Sequence, residues 1–182
     1  MEFSMRKLGI ALLLLLTMPL TVVADDADAY WGAMLGKTDY DDPSVELSLL
    51  SFTGRLGYEF GKFLSVEGRV MFSGAESKAG VVDDLKIDYL GNVSAKLNIP
   101  FGEAKRVNLY GVVGYSSYKI SYNSFGTDTY FTDDGASYGV GIDFFADNLN
   151  GINIEWLRYA DSTVNGVDYT LDSFAIGYVR RF

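Results

Sequence analysis

Beyond residue 24 the chain alternates apolar and polar residues with period two almost to its end, and this pattern specifies strands. Eight segments carry it, roughly 29–37, 50–60, 64–73, 85–99, 107–118, 137–146, 151–159 and 171–182. In the fourth, Leu85, Ile87, Tyr89, Val93, Ala95, Leu97 and Ile99 share one face, and Lys86, Asp88, Asn92, Ser94, Lys96 and Asn98 share the other. The second sets Phe52, Leu56, Tyr58 and Phe60 against Thr53, Arg55, Gly57 and Glu59. The third sets Leu64, Val66, Val70 and Phe72 against Ser65, Glu67, Arg69 and Ser73. No apolar run in this part reaches the ~20 residues of a spanning helix, so any membrane crossing must use strands.

Connections alternate in length as regularly as the strands alternate in polarity. Short ones fall at 61–63, 100–106 and 147–150; long ones fall at 38–49, 74–84, 119–136 and 160–170. Eight antiparallel strands with every long loop at one end and both termini at the other describe an up-and-down barrel with tight periplasmic turns and longer external loops.

Two faces leave two orientations. A soluble barrel would turn its apolar face inward. The inverted, membrane arrangement is favoured by small residues on the polar face (Gly32, Gly36, Gly57, Gly114, Gly139, Gly141 and Gly177), which suit a narrow lumen. The charges read onto that face are few and balanced, with Arg55, Arg69, Lys86, Lys96 and Arg181 against Glu59, Glu67, Asp88, Asp143 and Glu155. On the apolar face Trp31, Tyr58, Phe60, Phe144, Trp156, Tyr178 and Phe182 cluster near strand ends, where amphipathic rings meet headgroups.

The N-terminus fits export to such a membrane. Arg6 and Lys7 precede an apolar stretch, Leu8 to Met18, and Val22-Val23-Ala24 supplies a cleavage site. Residues 1–24 therefore read as a signal peptide and 25–182 as the barrel domain, with Met1 or Met5 as the start. Without residues 1–24 the chain carries 13 basic and 23 acidic side chains, which argues against nucleic acid as a partner.

The mature chain resembles, nearly end to end, the small eight-stranded outer-membrane barrels related to the OmpA transmembrane domain and to OmpX. The carriers are Ala29-Tyr30-Trp31-Gly32-Ala33-Met34-Leu35-Gly36, Leu56-Gly57-Tyr58-Glu59-Phe60, Leu109-Tyr110-Gly111-Val112-Val113-Gly114, Gly139-Val140-Gly141-Ile142-Asp143 and the terminal Arg181-Phe182. Their order and spacing hold the specificity. The resemblance implies that Phe182, with Gly177 and Tyr178, forms the signal read by the outer-membrane assembly machinery. Arg180 departs from the family pattern, which has an aromatic or apolar residue there; at the rim its guanidinium could snorkel to headgroups.

The chain has neither histidine nor cysteine. Ser-His and Cys-His catalysis and histidine or thiolate metal sites are thereby removed, and no catalytic, cofactor or metal residue is assigned. Arg55, Glu59, Glu67, Arg69, Lys96, Asp143 and Glu155 read as a lumen network, because charges taken from water must be paired; a gated pore or polar ligand site is the alternative. The long loops are acidic, with Asp39, Asp41, Asp42, Glu46, Glu76, Asp83, Asp84, Asp128, Asp133, Asp134, Asp161 and Asp168. Divalent ions could bridge them to lipopolysaccharide, but no segment has the spacing of a calcium loop. In the third loop Tyr118, Tyr122, Phe125, Tyr130 and Phe131 are candidate contacts for a host or cell-surface ligand. The expected function is a non-enzymatic outer-membrane protein presenting loops for envelope integrity or adhesion; a small channel or carrier is the alternative, and a lipid-modifying enzyme a third reading.

Overall fold

The computed structural model describes residues 29–78, 82–102, 106–124, 126–164 and 166–182; the signal peptide expected over residues 1–24 and the contact candidate Phe125 lie outside them. The strands are β1 Ala29–Asp41, β2 Glu46–Phe60, β3 Leu64–Ser73, β4 Glu76–Lys78, β5 Val82–Phe101, β6 Val107–Ser124, β7 Thr127–Phe145, β8 Asn150–Val164 and β9 Val167–Arg181. All pairings are antiparallel. β3 and the short β4 lie along the same edge of β5 and act as one stave, so nine segments make eight staves. Pairing of β1 with β9 and of β3 with β5 closes the sheet.

The lengths carry the first difference from the sequence reading. A membrane strand needs about 9–11 residues, whereas β5, β6 and β7 have 20, 18 and 19. The excess lies at the end read as long loops. There the hairpins stay paired to Asp41↔Glu46, Ser124↔Thr127 and Val164↔Val167. At two of the tips Gly126 (φ 79°) and Gly166 (φ 82°) take the left-handed conformation that tight hairpins need. The connections 38–49, 119–136 and 160–170 are thus mostly strand, because they too hold inward apolar residues that reward pairing.

This extension is no longer a closed barrel. β7 pairs with β8 only up to Tyr138↔Arg158, although β6–β7 and β8–β9 continue to their tips. β2 pairs with β3 only up to Ser51↔Ser73, with one further bond from Gly74 N to Leu50 O (2.8 Å). The staves therefore part into two leaves, β2-β1-β9-β8 and β4-β5-β6-β7.

In the barrel proper the alternation is apolar-out: Phe52, Leu56, Tyr58, Phe60, Leu97, Ile99, Phe174 and Phe182 are exposed, and Arg55, Glu67, Arg69, Lys96, Asp143 and Glu155 are buried. Toward and between the leaves the order inverts. Tyr40, Leu49, Met71, Leu85, Ile87, Leu90, Tyr118, Ile120, Leu157, Tyr159, Tyr169 and Leu171 form one buried apolar cluster, which begins in the top of the closed barrel at Met71, Leu90 and Leu157. The inversion corrects the face assigned to the fourth segment. The register shift between Ile87 and Tyr89 flips its parity, so Leu85 and Ile87 point inward. Lys86 and Asp88 consequently leave the inward charge set. They pair with each other at 3.4 Å on the outer wall, where Lys119 also reaches Asp88 (3.5 Å).

Candidate functional site

The interior has two storeys of opposite chemistry. In the lower one, inward positions of five staves bring three cations and three anions together. Arg55 Nη2 lies 3.2 Å from Asp143 Oδ1, and its Nη1 lies 3.5 Å from Glu67 Oε2. Arg69 donates from Nε to Glu67 and from both Nη atoms to Glu155, the Nη2 bond measuring 2.7 Å. Lys96 Nζ lies 2.8 Å from Asp143 Oδ2. No side chain of the six is more than 3% exposed, so their equal and opposite charges meet almost without water.

Neutral groups supply what the ion pairs leave open. Tyr30 donates to Glu67 Oε2 (2.7 Å) and Tyr110 to Glu155 Oε2 (2.9 Å). Asn153 Nδ2 reaches both Tyr110 Oη (2.6 Å) and Asp143 Oδ1 (2.8 Å). The Lys96 ammonium stands 3.8 Å above the Tyr110 ring, a cation–π contact. Both tyrosine rings fit because glycine faces them: a Cβ at Gly57 would overlap the Tyr30 ring, and one at Gly141 the Tyr110 ring.

Six of the seven sequence-assigned lumen residues meet in this cluster. The seventh, Glu59, lies nearer the short-turn end and pairs with Arg181 (3.3 Å), whose guanidinium covers the Phe145 ring at 3.7 Å. Tyr30, Tyr110 and Asn153 escaped the sequence reading, which placed aromatics on the lipid side. The available signal was register: a tyrosine facing a glycine on the neighbouring stave.

Above the ions a hydroxyl belt crosses the lumen, with Thr38 Oγ1 donating to Ser51 (2.8 Å) or Ser173 (3.2 Å) and Asn92 Nδ2 to Ser116 (3.0 Å) and Ser137 (2.7 Å). The apolar cluster follows. Between the leaves it ends in a cup of 390 Å³, lined from one leaf by Tyr40, Asp42, Val45, Val164, Val167 and Tyr169 and from the other by Leu85, Tyr122, Thr129, Tyr130 and Phe131. Tyr40 and Tyr169 stack at 5.8 Å, and Phe131 meets Tyr169 edge-on at 5.7 Å. Burial, reinforced by Asp42 for Tyr40 and by Tyr118 and Asp133 for Tyr169, raises both phenols above their ordinary range, so both remain protonated.

The loop contact candidates therefore divide. Tyr122 and Phe131 are partly buried against the apolar cluster, while Tyr130 is 67% exposed with Lys119 Nζ 4.4 Å from its ring. Among the described residues no three acidic side chains converge as a metal site would require. At the other end Gly177 packs inward on Met34, Tyr178 lies edge-on to Trp31 at 5.6 Å, and Phe182 is exposed with its amide donating to Ala29 O (2.9 Å).

Comparison with known proteins places this architecture. Neisserial surface protein A superposes with a TM-score of 0.71 at 17% identity, covering 85% of this chain and 97% of that one. Ail, the attachment invasion locus protein of Yersinia pestis, solved in complex with the heparin analogue sucrose octasulfate, gives 0.60 at 18%, with 85% and 99% covered. OprG, an outer membrane protein of Pseudomonas aeruginosa, gives 0.59 at 12%, with 86% and 97% covered. At these identities the likeness is one of fold. No curated protein matches the chain by sequence. Residues 8–182, however, match the outer membrane protein beta-barrel domain. The chain belongs to that family and is an integral β-barrel protein of the bacterial outer membrane.

Proposed function

We propose that this protein is a closed, non-enzymatic scaffold that holds two extracellular leaves above the outer membrane for contact with other molecules. The observation that carries this reading is the interior, which is filled twice. An ion cluster of balanced charge occupies the barrel within the membrane, and a continuous apolar cluster fills the lumen above it and the space between the leaves. Ions crossing such a lumen would have to displace salt bridges and then an apolar plug. Absence of histidine and cysteine supports a non-catalytic role.

In this reading residues 1–24 are removed as a signal peptide, and Gly177, Tyr178 and Phe182 present the assembly signal at the periplasmic rim. Lipid and lipopolysaccharide surround the staves. Ail is described as an attachment invasion locus protein and was solved with a sulfated heparin analogue. Surface contact is the role we carry over; a polyanionic ligand is not, since the leaf segments 38–49, 74–84, 119–136 and 160–170 bear twelve carboxylates and only Lys78 and Lys119 as cations. Planar-bilayer recording tests the closed scaffold. The purified barrel should insert without discrete conductance steps, and reproducible single-channel openings would replace the scaffold with a channel.

A further inference from the structure

We infer that the cup between the two leaves is a binding site for a small alkylated ammonium ion. Four inward rings, Tyr40, Tyr122, Phe131 and Tyr169, stand around a 390 Å³ cavity, within the range of sites for small molecules. Aromatic faces attract cations, and they favour weakly hydrated ones, whose methyl groups also gain from leaving water. Among the described residues that line the cup, Asp42 is the one charged side chain. Lys119 does not line the cup; its ammonium lies 4.4 Å from the ring of Tyr130, a lining residue, and is paired with Asp88 at 3.5 Å.

The carboxylates are fixed before any ligand arrives. Asp42 Oδ1 accepts from the amides of Ser44 (2.7 Å) and Val45 (2.8 Å), and its Oδ2 accepts from Tyr40 Oη (2.9 Å). Below the aromatic wall, Asp133 Oδ2 accepts from Ser162 Oγ (2.8 Å) and Tyr169 Oη (2.7 Å). Each acid orients a tyrosine whose ring forms the wall; Asp42 lines the cup itself, and Asp133 stands behind Tyr169 while the phenols stay neutral. A preorganised cage of this kind loses little entropy on binding. A neutral apolar guest would use the rings but not the acids, and an anion would be repelled.

The site is independent of whether the lumen conducts, since the cup lies above the ion cluster. Its test is calorimetric titration of the folded protein in a non-ionic maltoside detergent with choline, with its neutral isostere 3,3-dimethylbutan-1-ol, and with phosphocholine. Choline should bind about tenfold or more tighter than the alcohol and tighter than phosphocholine, whose phosphate opposes Asp42. Asp42→Asn, which keeps the turn's amide acceptor, should remove most of that preference. Phe131→Leu should weaken choline while leaving the heat-modifiable migration of the folded barrel intact. Absence of choline binding, equal binding of choline and the alcohol, or phosphocholine binding as tight as choline would each overturn the inference. So would an Asp42→Asn protein with unchanged choline affinity.

Discussion

The lower and upper halves of this molecule bury side chains equally well and choose opposite ones. Arg55, Arg69, Glu67 and Glu155 fill the lower lumen, whereas Leu49, Leu85, Ile120 and Leu171 fill the space between the leaves. What changes between the halves is the solvent outside. In the membrane, lipid takes the apolar face, so the polar residues of each alternating strand have only the lumen to enter. Above the membrane, water takes the polar face and the apolar residues turn inward, as in a soluble sheet pair. One continuous strand serves both, and in β5 the register shift between Ile87 and Tyr89 accomplishes the exchange.

Removing one cation from the lower storey should have the largest effect. Arg69→Ala leaves Glu67 and Glu155 facing each other without their shared guanidinium, an uncompensated burial that costs about 3–5 kcal/mol. The urea midpoint of the barrel in lipid vesicles, followed by gel migration, should fall accordingly. Adding Glu155→Gln should recover a large part of the loss, because the remaining charges then balance. An unchanged midpoint for Arg69→Ala would mean that water screens the cluster, and the contrast between the storeys would fail.

Leu171→Ala tests the upper storey. Leu171 is fully buried in the apolar cluster, and its truncation should cost about 2–5 kcal/mol. The expected loss is local. The hairpin tips at Gly126 and Gly166 should become sensitive to protease while the membrane staves keep their heat-modifiable migration. Simultaneous loss of both would show that leaves and barrel unfold as one cooperative unit.

How much of this was legible in the sequence follows from the same contrast. Period two located the eight staves and, through Arg55, Glu67 and Arg69 on one hairpin, the lower storey. It did not show that the alternation changes meaning partway along a strand. Leu85 and Ile87 look like a continuation of Val93 and Leu97 unless the one extra residue between them is seen, and a bulge has no composition of its own. The outer hairpins look like loops because their acidic residues conceal the parity of Tyr40, Ile120 and Tyr169. The Asn165-Gly166 pair is a hairpin signal that tightens this reading. The partners Tyr30 and Tyr110 were invisible for another reason: only the register across staves sets each ring over a glycine.

The smallest predicted effect lies where the two storeys meet. Backbone pairing between β7 and β8 stops at Tyr138↔Arg158, and immediately above it Asp133 of β7 reaches Ser162 of β8 and Tyr169 of β9. A carboxylate therefore takes over where the ladder ends. Asp133→Asn keeps the shape but turns charge-assisted acceptance into neutral bonding, a loss of about 1 kcal/mol. Global unfolding should barely move. Amide exchange should quicken along the unpaired edges, residues 127–137 and 159–164, and stay unchanged along 138–145, where β7 and β8 remain paired. Equal acceleration on both sides of Tyr138 would place the boundary between storeys elsewhere. No acceleration at all would mean that apolar packing between the leaves, rather than Asp133, holds the seam closed.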